Sequence, residues 1–290
     1  MDLESVLAIA KTTFNRRKFL QAAGIGGVGV ATATLLTRSA TSLMAQGMPK
    51  ATSSIQDPVT KDTPVQIFTA ALIAEDLATT FYYNGLAGGV IQDPSLAGPG
   101  GTATHVTAKG NSGNVAYLRA ALFEEITHAN LFRELLGISG PGSDPEQTFY
   151  FPAGVFDTLA PFIKTLEALE SAFIGAYMNA VVEIGRMAAT VGTGKEGDQL
   201  AYYAEVATAI LGVESEHRVL GRVISSMNPA NNRTYEWVDG IYSVYNGSRS
   251  AVAALTPFLT SSTGPAYSFA EAVVKSPSVE LKVDVRLPPA

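Results

Sequence analysis

The chain has 290 residues, of which 47% are hydrophobic and 16% charged, with 27 glycines, 15 prolines and no cysteine. This composition is that of a globular chain with one large domain or two small ones, and it excludes disulfide scaffolds, thiolate zinc sites, iron–sulfur clusters and cysteine nucleophiles. The net charge of -6 disfavours nucleic acid as a partner, because phosphate binding needs clustered positive charge.

The first 45 residues are typical of a twin-arginine export signal. Arg16 and Arg17 precede an uncharged run over residues 22–36 that is rich in alanine, glycine, valine and threonine. This run is shorter than the ~20 apolar residues that a transmembrane helix needs. We therefore predict a leader over residues 1–45 that is cleaved after Ala45, with an uncleaved anchor as the alternative. The mature chain would be periplasmic, extracellular or part of the cell envelope, and no stable membrane span would remain in it.

The mature chain is predicted to begin with an exposed, polar lead-in over residues 46–63. The first helix is predicted over residues 65–83, which contain no glycine or proline and are rich in alanine, leucine, isoleucine and phenylalanine. Residues 84–114 contain eight glycines and two prolines, which predicts a long surface loop. The second helix is predicted over residues 115–136, because Gly137 then ends the run.

The third and fourth helices are predicted over residues 156–191 and 198–227, with Asp198 as the N-cap of the fourth. The glycine-rich segment 192–197 between them is short, so these two helices should be antiparallel neighbours. The connection between the second and third helices, residues 138–155, is much longer. Its 18 residues can reach about 60 Å at ~3.3 Å each, whereas a 22-residue helix is about 33 Å long. The connection can therefore cross the whole bundle.

The predicted fold class is all-α, with a four-helix bundle over residues 64–227 that has one long crossover. Residues 228–290 are predicted to be a C-terminal extension packed on this bundle. Helical patterns occur in it over residues 237–259 and 267–275. The tail, residues 278–287, alternates strictly between polar and apolar side chains, which predicts a half-buried β-strand.

Two Glu-x-x-His pairs carry the main chemical signal. Glu125 and His128 lie on the second predicted helix, and Glu214 and His217 lie on the fourth. Residues three apart share one helix face, so each carboxylate and its imidazole can point at the same place inside a bundle. A di-metal carboxylate site in a four-helix bundle uses two such pairs together with one further glutamate from each of the other two helices.

Glu75 on the first helix and Glu170 on the third supply those further glutamates. Each has apolar neighbours, among which a lone carboxylate would be costly to bury. Glu167 is the competitor of Glu170, because it lies three residues earlier and nearly shares its face. We favour Glu170 because only that register superposes the two halves of the bundle as an internal repeat, with Tyr82 matching Tyr177 and the two Glu-x-x-His pairs matching each other.

With these motifs the chain resembles the ferritin-like superfamily, and within it the exported group that includes desiccation-related proteins. The likeness covers residues 64–227 and includes the segment Phe-Tyr-Phe-Pro-Ala-Gly-Val-Phe over residues 149–156. The ligand set is also similar to those of manganese catalases and rubrerythrins. The resemblance implies two iron or manganese ions that react with dioxygen or hydrogen peroxide. Carboxylates with two imidazoles suit these metals better than copper or zinc.

The resemblance also implies a role for each ligand. Glu125 and Glu214 would bridge the two ions, Glu75 and Glu170 would bind terminally, and each histidine would bind one ion. The alternative is a non-enzymatic, stress-protective envelope protein in which a metal only stabilises the bundle. A homo-oligomer is compatible with the sequence, although a closed cage would have to accommodate the long loop and the C-terminal extension.

Five further residues have weaker expectations. Tyr82 and Tyr177 could donate hydrogen bonds to the ligands, or they could be ordinary core tyrosines. Glu124 and Glu216 each adjoin a proposed ligand and therefore point about 100° away from it, towards solvent or an ion pair. His105 lies in the glycine-rich loop, where we expect it to be exposed and unrelated to the site.

Overall fold

The computed structural model describes residues 62–93, 96 and 114–287. Its body consists of four long helices, which are α1 (Pro64–Ala87), α2 (Asn114–Leu136), α3 (Leu159–Val191) and α4 (Lys195–Ile224). Two short helices follow, α5 (Ala251–Leu255) and α6 (Phe269–Lys275). The predicted all-α fold class is confirmed. The predicted export signal, most of the glycine-rich loop and His105 lie outside the described residues.

The four long helices pack mainly as two pairs, α1 along α2 and α3 along α4. The connection from α2 to α3 is long and carries the strand β1 (Thr148–Tyr150), which pairs antiparallel with β2 (Ala266–Ser268) from the C-terminal extension. The predicted long crossover is therefore present. In the described part of the chain, no helix combines the length and the apolar character that crossing a membrane would require.

Helix α1 begins at a capping box. The Thr63 hydroxyl accepts a hydrogen bond from the Gln66 backbone N–H at 3.2 Å, and the Gln66 side-chain oxygen accepts one from the Thr63 N–H at 2.9 Å. Pro64 occupies the first helical position, where a missing N–H costs no helical bond. These local signals fix the start of the helix that carries Glu75.

The turn from α3 to α4 depends on glycine. Gly192 and Gly194 have φ angles of 83° and 128°, which side chains disfavour. A Cβ at Gly197 would lie 1.8 Å from the carbonyl oxygen of Gly192. The prediction that Asp198 caps α4 is wrong, because the chain reverses at the glycines and the helix already begins at Lys195.

A buried ionic network fastens the crossover to the bundle. Arg133 of α2 donates a hydrogen bond to Asp76 of α1 at 2.7 Å and to Asp144 of the crossover at 2.7 Å. Further along the crossover, Phe151 packs against Phe81 of α1 with ring centroids 5.6 Å apart. The three phenylalanines of the segment over residues 149–156 are therefore part of the core.

The C-terminal extension is anchored by a pair of acidic residues, Asp62 and Glu183, which we call the carboxyl pair. Asp62 accepts backbone hydrogen bonds from Tyr245 at 2.6 Å and Asn246 at 3.1 Å, while Glu183 accepts one from Val244 at 3.2 Å. Burial, and then the charge of Asp62, raises the pKa of Glu183 to about 8. The extension is thus tied both to the residue before the α1 cap and to α3.

Two predictions for the extension are wrong. Residues 237–259 are helical only over Ala251–Leu255 and in a single 3-10 turn after it, because Gly240 and Gly247 adopt φ angles of 89° and 106° and break the earlier part. The tail forms no strand, since residues 280–287 have no regular secondary structure. Val285, expected to face inward, is 56% exposed.

The tail lacks a strand because it lies beside a helix. The Arg119 guanidinium of α2 donates to the backbone oxygen of Val279 at 2.6 Å, and the Leu281 N–H donates to the backbone oxygen of Arg119 at 3.0 Å. Helix backbone groups are otherwise paired within the helix, so they give the tail no ladder to join. The alternating pattern of residues 278–287 could not show that no neighbouring strand would be available to pair with them.

Candidate metal centre

Six polar side chains meet in the interior of the bundle, and every long helix supplies at least one. They are Glu75 from α1, Glu125 and His128 from α2, Glu170 from α3, and Glu214 and His217 from α4. The four glutamates are at most 2% exposed. These are the six residues that the sequence predicted as ligands, and the structure brings all of them together. Their role as ligands stays a prediction.

The six residues form two overlapping groups of four. One group contains Glu75 and His128 and the other contains Glu170 and His217, while Glu125 and Glu214 belong to both. Within each group, one ligand atom from every residue lies within 4.8 Å of the others. The shared residues come from the two Glu-x-x-His helices, as an internal repeat with pseudo-twofold symmetry requires.

His128 faces three carboxylates through one ring nitrogen. Its Nδ1 lies 3.3 Å from Glu75 Oε2, 3.5 Å from Glu214 Oε1 and 3.8 Å from Glu125 Oε2. A cation placed among these oxygens would therefore also be within reach of an imidazole nitrogen.

His217 repeats this arrangement in the other group. Its Nδ1 lies 3.0 Å from Glu125 Oε1, 3.5 Å from Glu214 Oε2 and 3.9 Å from Glu170 Oε1. The two oxygens of Glu125, like those of Glu214, thus face different histidines. A carboxylate with one oxygen directed to each group is suited to bridging two ions.

The donor set fits a bound cation because many of its atoms have no other partner. Eight buried atoms of the cluster lack a hydrogen bond. They are Glu75 Oε2, Glu125 Oε1 and Oε2, Glu170 Oε2, Glu214 Oε1 and Oε2, His128 Nδ1 and His217 Nδ1. Buried polar atoms are normally hydrogen-bonded, and leaving them unpaired is costly. Among the ion pairs of the described residues, these four carboxylates face only the two imidazoles. A metal ion would satisfy both the oxygens and the nitrogens.

In the absence of a metal, burial and the neighbouring charges shift the pKa values of the clustered residues in different directions. Burial, and then the neighbouring carboxylates, raises the pKa of Glu75 and of Glu170 well above the usual value. Burial is the largest single influence on Glu125 and acts against its charged form, but the interactions with His217 and His128 together outweigh it and lower the pKa of Glu125. For His128 and His217 the adjacent carboxylates overcome burial and raise the pKa of both rings. Without a cation, the cluster therefore retains protons that metal binding would displace.

Two tyrosines orient the outer glutamates. The Tyr82 hydroxyl of α1 donates to Glu170 Oε1 at 2.6 Å, and the Tyr177 hydroxyl of α3 donates to Glu75 Oε1. Each bond crosses from one half of the bundle to the other and leaves the second oxygen of the carboxylate without a hydrogen bond. Burial, and then the adjacent carboxylate, raises the pKa of both tyrosines, so they remain donors. Of the two interpretations of these tyrosines, the structure favours hydrogen bonding to the predicted ligands.

The competing glutamates lie outside the cluster. Glu167 pairs with Arg222 at 3.2 Å and its side chain is 29% exposed, while Glu216 is exposed. Glu124 pairs with His217 through Nε2 at 2.9 Å, on the edge of the ring that faces away from the cluster. The sequence allowed an ion pair for Glu124 but could not identify this partner, because the contact joins α2 to α4.

Comparison with known proteins agrees with this architecture. A family model described as a ferritin-like domain matches residues 63–226, a segment that contains the four long helices and all six clustered residues. No curated protein and no solved structure matches the chain significantly. The family match covers more than half of the 290 residues. The chain therefore belongs to the ferritin-like family, and it carries a buried carboxylate–histidine cluster that could bind metal.

Proposed function

We propose that this protein is an exported ferritin-like protein that holds two iron or manganese ions and reacts with dioxygen or hydrogen peroxide. The observation that carries the proposal is the pair of overlapping ligand groups joined by Glu125 and Glu214. When bound, two such ions would supply a redox centre that can exchange electrons with either oxidant. Hard carboxylates together with imidazoles suit these metals in their reduced and oxidised forms.

Each residue of the chain has a definite task in this proposal. Glu75 with His128 would hold one ion, and Glu170 with His217 would hold the other. Glu125 and Glu214 belong to both groups and would contribute to holding both ions. The tyrosine hydroxyls hold the outer carboxylates in place, and the apolar core around the cluster limits the access of water.

Export is proposed from the twin-arginine pattern in residues 1–45, with the periplasm, the cell envelope or the exterior as the location. The partners proposed are small oxidants rather than nucleic acid, with a homo-oligomer as a compatible assembly. The acidic balance of the chain supports the exclusion of nucleic acid.

Metal analysis of three histidine variants tests the proposal. We expect His128→Ala and His217→Ala each to bind less iron or manganese than the wild type, and His105→Ala to bind the same amount. Equal metal content in all three variants would remove the site. Assays of iron(II) oxidation by dioxygen and of hydrogen peroxide breakdown then measure the reaction. Bound metal without either activity would favour a stress-protective scaffold whose metal only stabilises the bundle.

A further inference from the structure

The two halves of the cluster differ in what lies behind each histidine. On α2, Glu124 precedes Glu125, and its carboxylate contacts Nε2 of His217 at 2.9 Å. The internal repeat places Val213 of α4 at the equivalent position. A valine cannot accept a hydrogen bond, so His128 lacks the support that His217 has. Among the described residues, no carboxylate pairs with Nε2 of His128.

A carboxylate on the far nitrogen of a metal-binding histidine fixes the orientation and the tautomer of the ring. Loss of such a partner typically weakens metal binding about 10–100-fold. In this protein the effect would apply to one half only, because Glu124 reaches His217 and has no counterpart at His128. The hydrogen-bond pattern alone therefore makes the two metal positions unequal.

The two halves also differ in how far solvent reaches each histidine. A cavity of about 350 Å³ lies between α2, α4 and tail residues 283–287, and it is lined by His128, Val213 and Glu124 but not by His217. The His128 side chain is 12% exposed, whereas that of His217 is 4% exposed. The cavity has room for several water molecules. The histidine that lacks carboxylate support is thus also the one that the cavity touches directly, whereas Glu124 lies between the cavity and His217.

We infer that the two metal positions are functionally distinct: the position held by Glu170 and His217 is the tight one, and the position held by Glu75 and His128 is the exchangeable one, reached through the cavity beneath the C-terminal tail. This inference rests on the proposed function, because it requires the cluster to bind metal. It assigns Glu124 as a positioning residue for His217. It also assigns Val213 as the residue that leaves His128 open to small ions and small oxidants.

Titration of the metal-free, full-length protein with Mn²⁺ tests the inference, with free Mn²⁺ measured by electron paramagnetic resonance. We expect two binding steps whose dissociation constants differ by about tenfold or more. Glu124→Ala should weaken the tighter step by about 10–100-fold and leave the weaker step unchanged. Val213→Glu introduces a carboxylate at the position equivalent to Glu124 and should lower the dissociation constant of the weaker step. Glu134→Ala is the matched control, because this exposed glutamate lines the same cavity on α2 without contacting either histidine.

Single-histidine variants assign the steps. His128→Ala should retain the tighter step, and His217→Ala should retain only a weaker one. Two equal steps in the wild type, or equal weakening of both steps by Glu124→Ala, would overturn the inference while leaving the metal site in place. Failure of the wild type to bind Mn²⁺ or iron(II) at all would instead overturn the proposed function. Circular dichroism of each variant confirms that the helices are retained, so a loss of binding is not mistaken for a loss of fold.

Discussion

Removing the metal should lower the melting temperature, because the cluster then holds four buried carboxylates and eight buried atoms without hydrogen bonds. A ligand that binds only the native state adds about 2.7 kcal/mol of stability when its free concentration is 100 times its dissociation constant. In a domain of about 150–250 residues, each kcal/mol shifts the melting temperature by about 2–4 °C. One ion is therefore worth about 5–10 °C under these conditions.

Thermal unfolding, followed by circular dichroism on metal-loaded and chelated samples, measures this difference. We expect iron(II) or manganese(II) to restore the higher melting temperature. Magnesium should not restore it, because Mg²⁺ favours six oxygen ligands and the site offers two imidazoles. The exposed residue Glu216 provides a control, since Glu216→Gln should leave both melting curves unchanged. An unchanged melting temperature after complete removal of metal would refute the reasoning, because the six residues would then not form a buried metal cluster.

The stability of the metal-free protein should depend on pH, because several groups of the cluster have raised pKa values. A group whose pKa is higher in the folded protein than in the unfolded chain stabilises the fold at low pH, and this contribution is lost as the pH rises through the folded value. Glu75, Glu170 and both histidines of the cluster are such groups, whereas the lowered pKa of Glu125 acts in the opposite direction. The metal-free protein should therefore lose stability as the pH rises from about 5 to 8. A chelated sample that becomes more stable over this interval would contradict the assignment.

Three further predictions address other parts of the chain. Glu170→Ala should lower the bound metal, measured by elemental analysis, more than Glu167→Ala, and the opposite ranking would show that our alignment of the two halves is wrong by one helical turn. Glu183→Gln in the carboxyl pair should raise the melting temperature relative to wild type at pH 9 but not at pH 5, because the raised pKa of about 8 penalises the ionised acid only at high pH. Arg16→Lys combined with Arg17→Lys should leave the precursor in the cytoplasm on cell fractionation, whereas the wild type should be exported and about 45 residues shorter.

The parts of the structure that follow helix periodicity could be predicted from the sequence. Residues three apart on a helix must share a face, so each Glu-x-x-His pair could be assigned before any tertiary contact was known. The need for one glutamate from each of the other helices indicated Glu75, the fit between the halves favoured Glu170 over Glu167, and the structure brings both to the same cluster. The ends of the four long helices were predicted to within four residues, although α1 continues through Gly85, which the sequence had placed in the loop.

The parts that depend on tertiary packing could not be predicted in this way. The contact between Glu124 and His217 requires knowledge of how α2 lies beside α4, and nothing in the local sequence contains that information. The alternating tail predicted a strand, but a strand also needs a partner with free backbone groups, and the tail instead meets the side chain of Arg119 on a helix. The local sequence pattern indicates which secondary structure a segment can form, and the segments packed against it determine whether that structure is present.

Two buried acidic sites in the same bundle differ in the positive charge that lies beside them. Asp76 and Asp144 each accept a hydrogen bond from the guanidinium of Arg133 at 2.7 Å, so one permanent positive charge lies between these two carboxylates. The four glutamates of the cluster have no such guanidinium or ammonium partner among the described residues, although they are at least as deeply buried as Asp144. Replacing a buried ionic cluster with apolar side chains is often neutral or stabilising, so its retention in the core does not follow from stability alone. The first network contains a permanently charged side chain, whereas the described residues place none beside the cluster, where a bound cation would supply the positive charge.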